Sequence, residues 1–444
     1  MRIWGPLVIG TALLLCSKLA VGQQPNVDAN PDVAAEIQSL RSEVLELRRQ
    51  VGSGLTAPQD LLPPPVDPQR ILGTEAVRRG EFRGAFVIPD TDVSLRIGGY
   101  LRGDAMYDTG FVASGIQLFP ATVALDGSAL AARRGRTQLT GSQSRLNFDA
   151  QAKTDVGQLR GFIELDFLKD DTDPRMRHAF GEWRGENWGL IGGQTWSTFM
   201  DPGSLPSVIP ETTAVGAIFS RQPQFRLTHR WNECTSFSIA IEQPVSDDFT
   251  VPNPVSDQRL ERWPDVVARL RLARNEVGTL QIASLVRGIG FAEASDEEHF
   301  VTGWGVSITA RRQLFSGPDN VRAGVVGGHG IGSYLTGLRG DLSAAAPDLD
   351  GFQTLGAIGA YGAYQHHWSE EFKSNLYYGY SQVESTPLMP NIAGKKNQNA
   401  GVNLIWSPRP TFGIGIEYTY VIREVRDGTT GDNHRVQFAI QFGP

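Results

Sequence analysis

The chain has 444 residues, 41 Lys and Arg against 48 Asp and Glu, and a net charge of −7, so no nucleic-acid partner is expected. Only 40% of its residues are hydrophobic, and after the N-terminus no run is long enough for a membrane helix. Its 50 glycines and many short stretches of period-two polarity describe a β-rich exported chain.

The first residues, "MRIWGPLVIGTALLLCSKLAVGQQ", combine Arg2, an apolar run from Leu7 to Leu15 and the small residues Ala20-Val21-Gly22. Residues 1–22 are therefore expected to be a cleaved secretory signal peptide. The run falls short of the ~20 residues a spanning helix needs. Removing it leaves Cys234 as the only cysteine, so neither an intrachain disulfide nor a cysteine metal cluster is available.

Residues 23–55 change texture. Val33, Ile37, Leu40, Val44, Leu47 and Val51 recur at steps of four and three, a heptad seam with Ile37, Val44 and Val51 at a and the others at d. Fewer than three heptads hold together weakly alone. Two readings follow: a short oligomerising coiled coil, expected in the periplasm, or an amphipathic helix packed on its own domain. Residues 56–85 are rich in Pro and Gly and read as a semi-extended linker.

From residue 86 to 444 the alternation becomes systematic. In "SLRIGGYLRGD", Leu95, Ile97 and Leu101 share one face, while Arg96, Tyr100, Arg102 and Asp104 share the other. "RVQFAIQF" sets Val436, Phe438, Ile440 and Phe442 against Arg435, Gln437 and Gln441. Sixteen such stretches are predicted as strands: 94–107, 144–153, 158–168, 177–184, 187–196, 222–230, 235–242, 264–273, 277–287, 301–311, 320–327, 354–366, 370–382, 398–406, 411–421 and 434–442. Short and long connections alternate between them, with 197–221 the third long one. An even strand number with long loops on one rim and short turns on the other predicts an all-β, sixteen-stranded antiparallel transmembrane barrel in the bacterial outer membrane. Hydrocarbon requires every backbone group to pair internally, so the sheet must close. Trp183, Trp188, Trp231, Trp368 and Trp406 lie beside the proposed short turns, where an aromatic girdle would meet the lipid interface. A soluble β-sandwich with tryptophans at its strand ends is the alternative.

The segments "FVIPDTDVSLRIGGYLRGD", "SRLNFDAQAKTDVGQLRGFIELDF", "RHAFGEWRGENWGLIGGQTWSTFMD" and "RQPQFRLT" resemble the successive motifs of DcaP-like porins, from the heptads through about Thr228 and more loosely to the C-terminus. The resemblance implies a homotrimer of sixteen-stranded barrels passing small, often negatively charged organic solutes. It also implies that the third long loop folds inward and sets the constriction, as in general porins. Such barrels usually finish on an aromatic, whereas here Gly443 and Pro444 follow Phe442.

Function is expected in the lumen. Arg96, Arg102, Arg145, Arg226, Arg230, Arg269, Arg271 and Arg435 fall on the polar face, with Asp104, Asp149, Glu164, Asp166 and Glu417 as counter-charges. A ring of Arg in a narrow passage favours anions, and guanidinium forks suit carboxylate and phosphate. Alternatively the acids neutralise these arginines. In the loop, Asp201 and Glu211 are placed to face the basic wall, or else the loop is an external flap over a trimer seam. The seven histidines show no zinc-ligand spacing beyond the adjacent pair His366-His367, and no nucleophile elbow is present. No enzyme, metal or cofactor is expected; membrane lipid and small anions are the expected partners. A barrel serving only as an envelope anchor, a phosphate-type anion porin and a barrel-embedded hydrolase remain as alternatives.

Overall fold

In the computed structural model, the described residues are 42, 78–169, 173–245, 257–274, 277–314, 317–339, 343–349 and 351–443. The chain divides into two compact units, Met1–Ala76 and Val77–Pro444. In the first only Ser42 is described, and it is helical. The signal segment and the heptad positions Val33 to Val51 lie outside the described residues.

The second unit is an antiparallel sheet closed on itself. In chain order its barrel strands are β1 Ser94–Asp108, β2 Arg145–Thr154, β3 Gly157–Lys169, β4 Asp173–Arg184, β5 Trp188–Trp196, β6 Arg221–Arg230, β7 Thr235–Glu242 and β8 Asp265–Arg274. They continue as β9 Gly278–Ala292, β10 Glu298–Gln313, β11 Asn320–His329, β12 Gly356–His367, β13 Phe372–Val383, β14 Gly394–Arg409, β15 Phe412–Val425 and β16 Thr430–Phe442. Each pairs with its sequence neighbours, and β1 closes the barrel on β16 through the run Leu101↔Phe442 to Asp108↔Arg435. All sixteen predicted strands are present. A further short strand, Arg136–Thr140, pairs with the long-loop end of β1, and Ala345–Asp348 pairs with Gly351–Thr354 as a separate hairpin.

Several connections predicted as long are shorter than expected: 288–300 shrinks to 293–297 and 422–433 to 426–429. The strands continue past the lipid as hairpins. There both faces meet water, so the apolar alternation that marks a membrane strand is no longer required.

No helix among the described residues is long and apolar enough to cross a membrane; the crossing elements are strands. Their outer face is apolar. Leu270, Ile282, Ile308 and Val325 form one cross-strand row, each paired with the next, and Ile282 and Ile308 are exposed toward lipid. Trp188, Trp231 and Trp368 stand exposed at the short-turn rim. Their neighbours Trp183 and Trp406 donate indole N–H groups to the Val156 carbonyl (3.0 Å) and to Glu371 (3.1 Å), giving each ring an apolar body and a polar anchor.

Replacing Ile308, on the lipid face, with Arg is expected to lower folding stability by about 2–4 kcal/mol. Urea titration of folding into phospholipid vesicles measures the loss.

Candidate functional site

The segment 197–220 turns into the barrel. A chain inside a lumen must satisfy its own polar backbone, and here wall side chains do so in sequence. At its base Glu242 of β7 accepts from Ser197 Oγ and the Thr198 amide, both at 2.6 Å. Asp201 then caps a single 3-10 turn, Pro202–Ser204, accepting from the Gly203 amide, with Pro202 supplying the φ that such a start requires. Its other oxygen accepts from Thr309 of β10 at 2.9 Å. Further along, Arg322 of β11 donates to the Leu205 carbonyl and Asn403 of β14 to that of Ser207. The Ile209 amide reaches Glu417 of β15 (2.7 Å), and its carbonyl accepts from Arg102 of β1. The segment has thereby crossed to the opposite wall.

At that wall Glu211 accepts from Arg177 Nη1 (2.6 Å) and Arg145 Nη2 (3.3 Å). The return path lies flat against β12 and β13. Gly216 has φ of +80°, and a Cβ there would sit 2.0 Å from the Tyr380 carbonyl; a Cβ on Gly359 or Gly379 would strike the backbone of Gly216 or Val215. A second inward segment, 331–338, zips against the first: the Gly216 amide donates to Thr336, Thr336 to Ala217 and Phe219 to Tyr334, with Ile218 and Leu335 bridged.

Together the two segments fill the long-loop half of the lumen beside β8 to β13. Phe199, Met200, Ile218, Tyr334, Leu335 and Leu338 pack on Val267, Leu285, Val326 and Val383, all buried.

Charges divide along the same line. On β1 to β4 the arginines are paired: Arg96 with Asp149 (3.3 Å), Arg102 with Asp104 (2.7 Å), Arg160 with Asp149 (2.8 Å), and Arg145 with Glu164 and Glu211. Arg435 is fully buried, forks onto Asp108 (2.8 Å for both bonds) and holds the Gly115 and Ile116 carbonyls, so it presents nothing to a solute. Arg230 ties the Gly185 and Trp188 carbonyls at a short turn. Asp201 makes no ion pair with a described arginine, whereas Glu211 does.

On β6 to β11 the pattern reverses, except at Arg287 of β9, which lies 3.5 Å from Asp265. Among the described residues Arg226 donates to Thr198, Gln224 and the Trp196 carbonyl, and Arg269 to Ser238. Arg271 and Arg311 make no ion pair with a described residue, and neither does Arg322, which lies directly across the ladder from Arg311. Five cationic side chains thus share a wall, and none of them makes an ion pair with a described residue.

The cluster around Glu211 contains two arginines absent from the sequence-derived set, Arg175 and Arg177. Period two through His178, Phe180 and Glu182 assigns Arg177 to the lipid face. The register steps from Glu164↔His178 to Leu165↔Met176, leaving Arg177 as the extra residue of a β-bulge and turning it inward. It bonds Glu164 (2.8 Å), Asp166 (2.7 Å) and Glu211. Arg221 was missed as well, because it sits at a strand end. Its guanidinium stacks 4.6 Å from the Trp196 ring centroid, beside a cavity of about 580 Å³ that is also lined by Arg175, Glu211 and Phe219. Burial alone would raise the Glu211 carboxyl, but Arg177 and Arg145 outweigh it and hold it below its ordinary value.

A closed sixteen-stranded barrel, apolar outside and polar within, with a chain segment laid across its lumen, is an outer-membrane channel of the porin type. This chain belongs to the DcaP outer membrane protein family, whose profile matches residues 87–442. Among solved structures it is similar to the outer membrane channel DcaP of Acinetobacter baumannii, with a TM-score of 0.69 and 22% identity over 83% of this chain and all of that one. The anion-selective porin of Comamonas acidovorans (TM-score 0.56, 8% identity, 79% and 100% covered) shares the fold. So does the trimer form of OmpT from Vibrio cholerae (0.52, 10%, 80% and 100%). No curated protein sequence matches the chain.

Replacing Glu211 with Gln removes the carboxylate that binds the crossing segment to Arg145 and Arg177. Faster amide hydrogen exchange over 209–215 is expected, with the barrel strands unchanged. In the wild type the depressed Glu211 value means that this tie is complete above the ordinary carboxylate range. It is lost only as pH falls through the lower, folded-state value. Protection of 209–215 should therefore persist as pH falls below the ordinary carboxylate range.

Proposed function

We propose that this protein is a passive porin for small hydrophilic solutes that prefers anions, organic acids above all, with segment 197–220 as its constriction. One observation carries the reading: Arg226, Arg269, Arg271, Arg311 and Arg322 share a stretch of wall and make no ion pair with a described residue. Paired arginines, such as those on β1 to β4, leave little net field. Unpaired ones in a passage narrowed by protein lower the barrier for anions and raise it for cations. Carboxylate and phosphate both fit guanidinium, so a phosphate-type porin belongs to the same reading.

The remaining parts fit a porin. A leader at residues 1–22 would export the chain, and the heptads at 23–55 would help three barrels associate on the periplasmic side. The trimer form of a fold neighbour supports that assembly. The alternative of a barrel that only anchors the envelope draws on the apolar packing that fills part of the lumen; it predicts negligible conductance.

In planar bilayers, reversal potentials across a salt gradient should show anion preference. Substituting Arg269, Arg271 and Arg311 together with Gln should move them toward zero, while Arg96→Gln, on the paired wall, should have a smaller effect. Cation selectivity in the wild type would refute the proposal.

A further inference from the structure

Two arginines leave the barrel on its lipid side at the short-turn rim. Arg274 ends β8 and Arg312 lies one residue from the end of β10, and each pairs across the ladder with Gly278, the first residue of β9 between them. Residues paired in this way point to the same face of a sheet. Two positions along each strand that face carries the row Leu272, Leu280 and Ala310, and two further on it carries Leu270, Ile282 and Ile308 of the lipid-facing row. Arg274 and Arg312 therefore project outward, and both are exposed. Trp231, exposed in the adjoining turn, and Tyr364, in line with Arg312 through Val321, place them at the level of the membrane interface.

Gly278 leaves a gap between the two side chains. Its φ is +134°, and a Cβ there would lie 1.9 Å from the Arg311 carbonyl, so the position admits no side chain. Neighbouring strands are about 4.8 Å apart, which sets the two arginine backbones about 9.6 Å from each other across the glycine. A phosphate group fits that interval within reach of both guanidinium forks. The gap belongs to a cavity of about 600 Å³ that is also lined by Leu272, Leu280 and Ala310, so a cationic rim stands over an apolar floor. Neither Arg274 nor Arg312 makes an ion pair with a described residue.

We propose that this cavity binds an anionic phospholipid, its phosphate held between Arg274 and Arg312 and an acyl chain laid along Leu272, Leu280 and Ala310. Short turns of such barrels face the periplasm, so the lipid comes from the inner leaflet. The apolar floor selects a lipid over a free anion, because it runs on into the lipid-facing wall and offers nothing to an inorganic ion. The two arginines select a net negative headgroup, because the cation of a zwitterionic one would meet them with like charge. The site lies on the outer wall and is independent of the lumen and of its selectivity.

The test folds the full-length protein into vesicles of equal phosphatidylglycerol and phosphatidylcholine, releases it into mild detergent and identifies the retained lipid by native mass spectrometry. Phosphatidylglycerol should be retained over phosphatidylcholine by at least about fivefold, the scale of one arginine at a charged membrane surface. Arg274→Gln and Arg312→Gln should each cut that preference about fivefold or abolish it, while Arg409→Gln, at another short turn of the same rim, should leave it unchanged. Ala310→Phe, which fills the floor and keeps both arginines, should also lower retention, and excess inorganic phosphate should leave the lipid in place. Circular dichroism checks that each variant keeps its β-barrel. Equal retention of the two lipids by the wild type overturns the site, as does a loss in Arg409→Gln as large as in Arg274→Gln. Full retention in Ala310→Phe, or displacement by phosphate, overturns the lipid as its occupant.

Discussion

Hydrocarbon offers no hydrogen-bond partner to a peptide group, and the rest of this molecule follows from that constraint. It forces β1 to meet β16, since an open edge in lipid would leave a row of unpaired amides and carbonyls. Closure fixes which face of each strand sees lipid, and that places every alternate side chain in one shared interior. Arginines far apart in the chain become neighbours because the sheet has nowhere else to put them.

The interior answers the same demand differently. Segment 197–220 has no ladder of its own over most of its length. Its backbone is satisfied instead by Arg322, Asn403, Glu417 and Arg102, contributed by four strands, while Thr309 holds the Asp201 carboxylate. Such a tether is specific in a way that apolar packing is not, because each wall group meets one backbone atom. Glycines at 359 and 379 then let the return path lie against the wall. Structure and electrostatics are therefore coupled. Several arginines that a count of polar-face positions assigns to the pore are occupied in holding the loop or each other's counter-ions, and Arg435, fully buried on Asp108, is the clearest case. The cations that make no ion pair with a described residue lie on β6 to β11, and two of them, Arg226 and Arg322, also bond the segment.

Much of this is legible in the sequence alone. Period-two alternation located all sixteen strands, because a strand with lipid on one side and water on the other must alternate. Tryptophans marked the short-turn rim for a similar reason. The inward path of 197–220 was suggested by its place in the loop order and by family resemblance. Its pairing of Glu211 with arginine, and the failure of Asp201 to do the same, was not legible: Asp201 is spent on capping its own turn and on Thr309.

By itself the sequence determined a closed barrel and its two faces, since these depend only on alternation and on the cost of unpaired backbone in lipid. Tertiary structure alone decided which charges cancel. A single-residue bulge turned Arg177 inward, against its period, to meet Glu164, Asp166 and Glu211. Ladder register set Asp265 against Glu242 and Arg311 against Arg322. Charge pairing depends on distances of a few ångströms between residues remote in the chain, and one-residue shifts in register, invisible to periodicity, decide them.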